Sequence, residues 1–500
     1  MSPQGESNRY VGGILTQRQA PQTSRSVLIR GDFVQTPTLG KLEIFRDYLL
    51  RTDDSGTIDH FASTDHPTSL SILKSPGKHA ERCMDGSVIL PTFCDLHLHA
   101  PQFLYQGTGL HLPLMQWLDE YAFKAEERLD ADPQLAERVY KKLAHKLLEH
   151  GTGAVLLFGT IKTETNLILA REMERAGLRA FVGKLSMDVS SRPSYKEASA
   201  EAALEAAQDF CRRCQERSGG AEDLCLVEPV LTPRFVPTCS DELLSGLGKF
   251  AEENNVRIQS HMAESYDQVE WVRAERKAED MDVFAQHNLL TPRTVQAHCT
   301  FLSPADLSNL ANTGTAVAHC PLSNAYFSAE PFRLREALDA GVPVGLGTDI
   351  AGGYSIDIMN AMRQAVMVSR MREGARVMAS KVDRGNSSGK DEEDRPFSID
   401  WKEALYLATT GGAAALGLPK GIGTFAVGVP FDAQSIDLYR SNDNGPSEGV
   451  GALTMFFDDL GPQPRGVTED IIEKWWCLGD FRNRSGMWVQ GRYIRVETVQ

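Results

Sequence analysis

The chain has 500 residues, of which 42% are hydrophobic and 24% charged, and its 52 Lys and Arg against 67 Asp and Glu leave a formal charge of −15. Such a chain can bury a large core without disulfide or metal staples. Its acidity excludes nucleic acid or an anionic membrane surface as the main partner, and no apolar run reaches the roughly 18 residues of a transmembrane helix.

In chain order, residues 1–26 are polar and expected to be flexible. They hold no basic segment followed by an apolar one, so no secretory signal is expected. Residues 27–90 carry short β-rich runs such as SVLIRGDFVQ, separated by turn residues, and predict a small β lobe. Over 91–425 the rhythm changes. The apolar runs GAVLLFGT, RAFVGKLSM, CLVEPVLTP, VRIQSHMAE, TVQAHCT, GTAVAHCP and VPVGLGTD alternate with helix-like stretches such as SDELLSGLGKFAEENN. This is the βα signature of a parallel sheet. About eight units fit, which favours an α/β fold of the closed (β/α)8 TIM-barrel kind. Cys211 and Cys214 have CxxC spacing, but they lie in the helix-like AALEAAQDFCRRCQER with no second pair, and read as ordinary helix cysteines. The nine scattered cysteines predict free thiols in a reducing, cytoplasmic compartment. Ser380–Asp394, SKVDRGNSSGKDEED, reads as a mobile insertion. Residues 426–500 return to a β-rich pattern and are expected to rejoin the 27–90 lobe.

Metal-capable residues fall repeatedly where apolar runs end. VILPTFCD runs into Leu96-His97-Leu98-His99, RIQS ends in His261, VQA in His298 and VGLGT in Asp349. Parallel barrel strands open their C-terminal ends on one face, where such barrels carry their chemistry. Residues i and i+2 of a strand share a side, so His97 and His99 can face one ion. Imidazoles with one carboxylate and no thiolate suit zinc with a position open to water. Glu264, three residues past His261, is placed to move a proton between that water and a substrate nitrogen. Asp349 can ligate the ion or accept a hydrogen bond from the attacking water. His298 can ligate or orient it, and the residues alone leave both open. The remaining histidines default to surface or structural roles, except His319, which ends the run AVA and can line the pocket.

PTFCDLHLHAPQF, QSHMAES, QAHCTFLS, AHCPLSN and GLGTDIAGGYS together resemble the amidohydrolase superfamily. The longer stretches GKLSMDVSSRPSYKE, LTPRFVPTCSDELL and GTDIAGGYSIDIMNAMRQAVMVS resemble its guanine deaminase family, from about Arg30 to about Val489. The resemblance implies a barrel with a β-sandwich lobe built from both chain ends, one Zn2+ per subunit on His97, His99, His261 and Asp349, Glu264 as proton shuttle and His298 beside the reaction centre. It implies that His99, Ala100, Pro101, Gln102, Arg234 and Phe235 bind a purine base, with His261, Glu264 and Asp349 against it. The activity implied is hydrolysis of guanine to xanthine and ammonia by a homodimer. Phe235 can supply an aromatic plane, Arg234 a donor to a ring carbonyl, and Gln102 both a donor and an acceptor. Two departures, Thr92 where the first motif usually has Gly and GVPFDA in the tail, touch no ligand. The rival readings are a deaminase for another purine-like or pyrimidine ring, and a scaffold without activity. The full ligand set speaks against the scaffold. The zinc deaminase class with His-x-Glu and Pro-Cys-x-x-Cys, and the His-Glu-x-x-His proteases, are excluded by their missing motifs.

Overall fold

The computed structural model describes residues 26–75, 80–83, 85–218, 226–384, 395–442, 445–453 and 466–494. Apart from Ser26, the N-terminal segment expected to be flexible lies outside the described residues. The lobe begins with β1 (Leu28–Thr38), β2 (Lys41–Thr52) and β3 (Ile58–Ser63), paired antiparallel in that order. On its other edge β1 runs parallel to β4 (Glu81–Arg82) and β5 (Ser87–Pro91).

Only Thr92 separates β5 from the first strand of the barrel. The barrel strands are β6 (Phe93–His99), β7 (Thr152–Phe158), β8 (Arg179–Ser186), β9 (Val227–Pro233), β10 (Arg257–Met262), β11 (Thr294–His298), β12 (Ala316–His319) and β13 (Val344–Leu346), each parallel to the next. The ring closes where Asp349 N donates to His97 O at 2.8 Å and His99 N to Ile350 O at 2.8 Å, so the expected (β/α)8 barrel is present. Helices on the outside cover the strands, which explains why β7 and β8 are buried along their whole length rather than alternating, with Arg179 and Lys184 of β8 each paired to an acid. Inside, Leu96, Leu156, Phe181, Val230, Val295 and Ala318 meet in one cluster with Ala413 and Leu416. These side chains precede the strand ends and fill the barrel beneath the site.

The C-terminal part returns as β14 (Ala433–Asp437), the hairpin of β15 (Tyr439–Asn442) with β16 (Gly445–Gly449), and the antiparallel β17 (Arg484–Val489) and β18 (Arg492–Tyr493). β14 pairs with β5 on one edge and β17 on the other, so both chain ends share one mixed sheet of eight strands. The expected insertion needs correction at its start. The helix Ile358–Arg384 runs through Ser380, and the rest of the segment, 385–394, lies outside the described residues.

Candidate metal centre and substrate cavity

His97 and His99 owe their common direction to a bulge. Asp95 pairs with Val155 and Leu98 with Leu157, so β6 uses one residue more than β7 over that step. Leu96 therefore faces the interior cluster, while Leu98 packs outward with Leu114 and Trp117. The extra residue turns His97 and His99 to the axis, a usual role for a bulge beside a site. Asp95 fixes it by accepting from His97 N at 3.2 Å, Thr348 N at 3.0 Å and Thr348 Oγ1 at 2.5 Å.

The other donors arrive by different means. His261 is presented by β10, and its Nδ1 lies 2.5 Å from Arg234 O, which leaves Nε2 for an ion. Ala297 faces the interior, so a regular strand would send His298 outward. A φ of 69° turns it back into the site instead. Asp349 has a φ of 49° just past β13. Such left-handed backbone at residues other than glycine is strained, and it persists where surrounding packing holds it.

The side chains converge. Asp349 Oδ1 is 3.1 Å from His97 Nε2 and 3.7 Å from His99 Nε2. His99 Nε2 and His261 Nε2 face each other at 3.0 Å, and His97 Nε2 is buried with no hydrogen-bond partner. Burial, together with neighbouring imidazoles, holds His97, His99 and His261 well below the ordinary histidine range, so each keeps a lone pair for a ligand. The side chains that could hold a metal ion form three overlapping groups, His97 with His99 and Asp349, His97 with His261 and His298, and Glu264 with His298 and Asp349, and imidazoles with carboxylates suit a divalent cation of the zinc type. His298 stands beside them. Its Nδ1 bonds Asn324 Oδ1 at 2.9 Å, and its Nε2 lies 3.5 Å from Glu264 Oε1 and 3.9 Å from Asp349 Oδ2. Burial and the charge of Asp349 push the Glu264 carboxyl well above its ordinary range.

Above this cluster lies a narrow cavity. His99, His261, Glu264 and Asp349 form its reactive end, Gln102 and Arg234 its polar side, and Leu114, Trp117, Leu118, Phe235 and Phe327 its apolar walls. A small cavity with apolar walls and few polar groups suits a planar heterocycle. Of the residues expected to bind substrate, Ala100 and Pro101 are buried and are not among those that line the cavity. His319 is a correction. It is buried against Phe332 and lines a separate groove of the outer helices, because β12 has no bulge or left-handed residue to turn it towards the site.

Several residues at the site were not read from the sequence. Nothing in the sequence separates Trp117 and Phe327 from other helix aromatics. Asn324 lies in the quoted AHCPLSN, yet nothing there announced its bond to His298. Glu126 had a signal, since it falls on the same helical face as Ala122 and Leu129, where an acid is out of place.

A closed α/β barrel with a histidine and carboxylate cluster at its C-terminal mouth defines a metal-dependent hydrolase architecture. The family model of the Amidohydrolase family matches residues 88–468, and the chain belongs to that family. It is similar to the guanine deaminase of Mus musculus, 34% identical, over 94% of this chain and 96% of that protein. The crystal structure of guanine deaminase from C. acetobutylicum with bound guanine in the active site superimposes with a TM-score of 0.78 at 26% identity, covering 94% of this chain and 100% of that one. An adenosine deaminase from Xanthomonas campestris with bound zinc shares the fold, with a TM-score of 0.71 at 19% identity over 93% of this chain and 92% of that one.

Proposed function

We propose that the chain hydrolyses guanine to xanthine and ammonia, with His97, His99, His261 and Asp349 holding one zinc ion per subunit. The reading is supported above all by one juxtaposition: the nitrogen and carboxylate cluster opens into the same small cavity as the buried, unpartnered Nη2 of Arg234. An ion held by those four residues supplies Lewis acidity that activates water near neutral pH. The base lies against Phe235 and Trp117, and its ring carbonyl accepts from Arg234. Glu264, kept protonated by burial and by Asp349, gives its proton to the ring nitrogen next to C2 as the water oxygen bonds to that carbon. Asp349 takes the proton that the water loses and passes it to the amino group, which leaves as ammonia. The new hydroxyl returns a proton to Glu264 as the C2 carbonyl forms. His298, fixed through Nδ1 by Asn324, orients the water from the side opposite its anchor.

The reading also takes residues 91–425 as the catalytic unit, 27–90 with 426–500 as the lobe, and the protein as a cytoplasmic homodimer. Sedimentation and cell fractionation test the last two. The main test follows ultraviolet absorbance of the zinc-loaded protein with guanine, and with adenine and cytosine as controls. Guanine alone should convert, with activity lost on chelation and restored by zinc. No guanine turnover by the zinc-loaded protein would overturn the proposal.

A further inference from the structure

Glu126 is used by no step above, yet it is fully buried at the edge of the cavity, with 0% exposure. It sits on the helix Phe123–Ala131. Its Oε2 accepts from Arg234 Nη1 at 2.6 Å, and its Oε1 from Gln102 Nε2 at 3.4 Å. The Phe123 ring covers the same guanidinium, with Cζ 4.8 Å from the ring centroid. Gln102 is held from its other end, since its Oε1 accepts from Ala351 N at 3.1 Å. One carboxylate thus ties together two cavity residues that come from different strand ends, while Arg234 Nη2 stays buried without a partner.

We propose that Glu126 is the positioning residue that sets the selectivity of this cavity for a neutral 6-oxopurine. The inference rests on the reading of the cavity as a guanine site. Two physical effects follow from the pair. First, with Nη1 occupied, the donor left for the base is a directed N–H. It meets a carbonyl oxygen well and a 6-amino group badly, because two donors would then face each other unpaired in a buried place. Second, Glu126 cancels the charge of Arg234. An isolated buried guanidinium would draw in an anion, whereas a neutral pair accepts an uncharged base.

The test is a double-mutant cycle on the zinc-loaded enzyme, comparing Glu126→Gln, Arg234→Gln and the double variant with wild type. Glu126→Gln should raise KM for guanine about tenfold or more while kcat changes less than about threefold. It should also tighten inhibition by urate, a purine that carries negative charge at neutral pH. Because Glu126 bonds Arg234 at 2.6 Å and Gln102 only at 3.4 Å, its effect passes mainly through Arg234, and the double variant should have a KM within about twofold of that of Arg234→Gln alone. Multiplicative losses in KM, an unchanged KM in Glu126→Gln, or unchanged urate inhibition would each overturn the assignment. Glu126→Gln strands a buried cation and Arg234→Gln a buried carboxylate, so both single variants are at risk of misfolding. The double variant strands neither, so urate should inhibit it no more tightly than wild type, and tighter inhibition there would overturn the assignment. Wild-type turnover separates the two failures: none removes the guanine reading and this inference together, whereas turnover with a multiplicative cycle removes only the role of Glu126.

Discussion

Two carboxyl groups show how burial sets chemistry one residue at a time. Glu264 is kept protonated in the cavity, so Glu264→Gln should retain the metal and lose about a hundred- to ten-thousandfold in kcat. Metal analysis beside steady-state rates checks both halves, and a variant with near-normal kcat would remove Glu264 from the proton path. Asp280 is a second buried acid. It accepts from Ala263 N at 3.2 Å, and burial pushes its pKa up to about 7. An unfolded Asp releases its proton near about 3.9. The folded protein therefore carries the extra proton between those values, and this residue makes stability fall as pH rises through that window. Asp280→Asn should flatten that fall. Thermal melts at about pH 4.5 and about pH 7.5 should then differ less than in wild type. His97, His99, His261 and Asp349 were legible because each follows an apolar run in a barrel rhythm. Glu126 was harder to find, since its position on the face of Ala122 and Leu129 is the one signal in KAEERLD, which otherwise reads as a charged helix surface.

At the scale of elements, the site depends on irregularities rather than on regular strands. The spacing of His97 and His99 suggested a shared face, but the bulge in β6 decides which face it is. The left-handed turn at His298 has no signature in QAHCT: histidine is over-represented at such positions, but most histidines still keep ordinary backbone, so the residue type alone does not announce the turn. Gly347 shows how little room is left around these departures. A Cβ there would lie 2.8 Å from Cys320 Sγ, 2.9 Å from His97 Cβ and 3.2 Å from His97 N. Gly347→Ala should cost about 1–3 kcal/mol of stability and weaken metal retention by displacing His97. Gly374→Ala is the control, since a Cβ there meets nothing within 4 Å. Equal metal content in the two variants would show that β6 tolerates the push. The groove that His319 lines was hidden for a similar reason: AVAHCP has the same ending as QAHC, and only the backbone after it separates the two.

Across the whole molecule, lobe and barrel are bolted together at the face opposite the cavity. Arg179, at the start of β8, pairs with Asp432 at 2.9 Å, with side chains 10% and 8% exposed. Asp432 also accepts from Gln490 N at 2.6 Å, just past β17. Asp432→Asn leaves the Arg179 guanidinium without a counter-charge, with only the Gln490 side-chain oxygen at 2.9 Å still accepting from it, and should cost about 3 kcal/mol, read from denaturant unfolding, with little change in KM. A loss below about 1 kcal/mol would mean that water reaches the pair. Both β-rich ends could be recognised from their composition. Their joining in one lobe was expected as well; what no local pattern encodes is the strand pairing that achieves it, the long-range contact of β5 with β14.

That pairing bears on how the chain is made. On a ribosome, β5 emerges early with one edge bare, and it stays so until Ala433–Asp437 has been synthesised. The nascent chain carries an open β edge through nearly the whole of barrel assembly, the kind of edge that recruits other chains. A chain whose synthesis stops shortly before Ala433 should therefore aggregate more readily than the full chain.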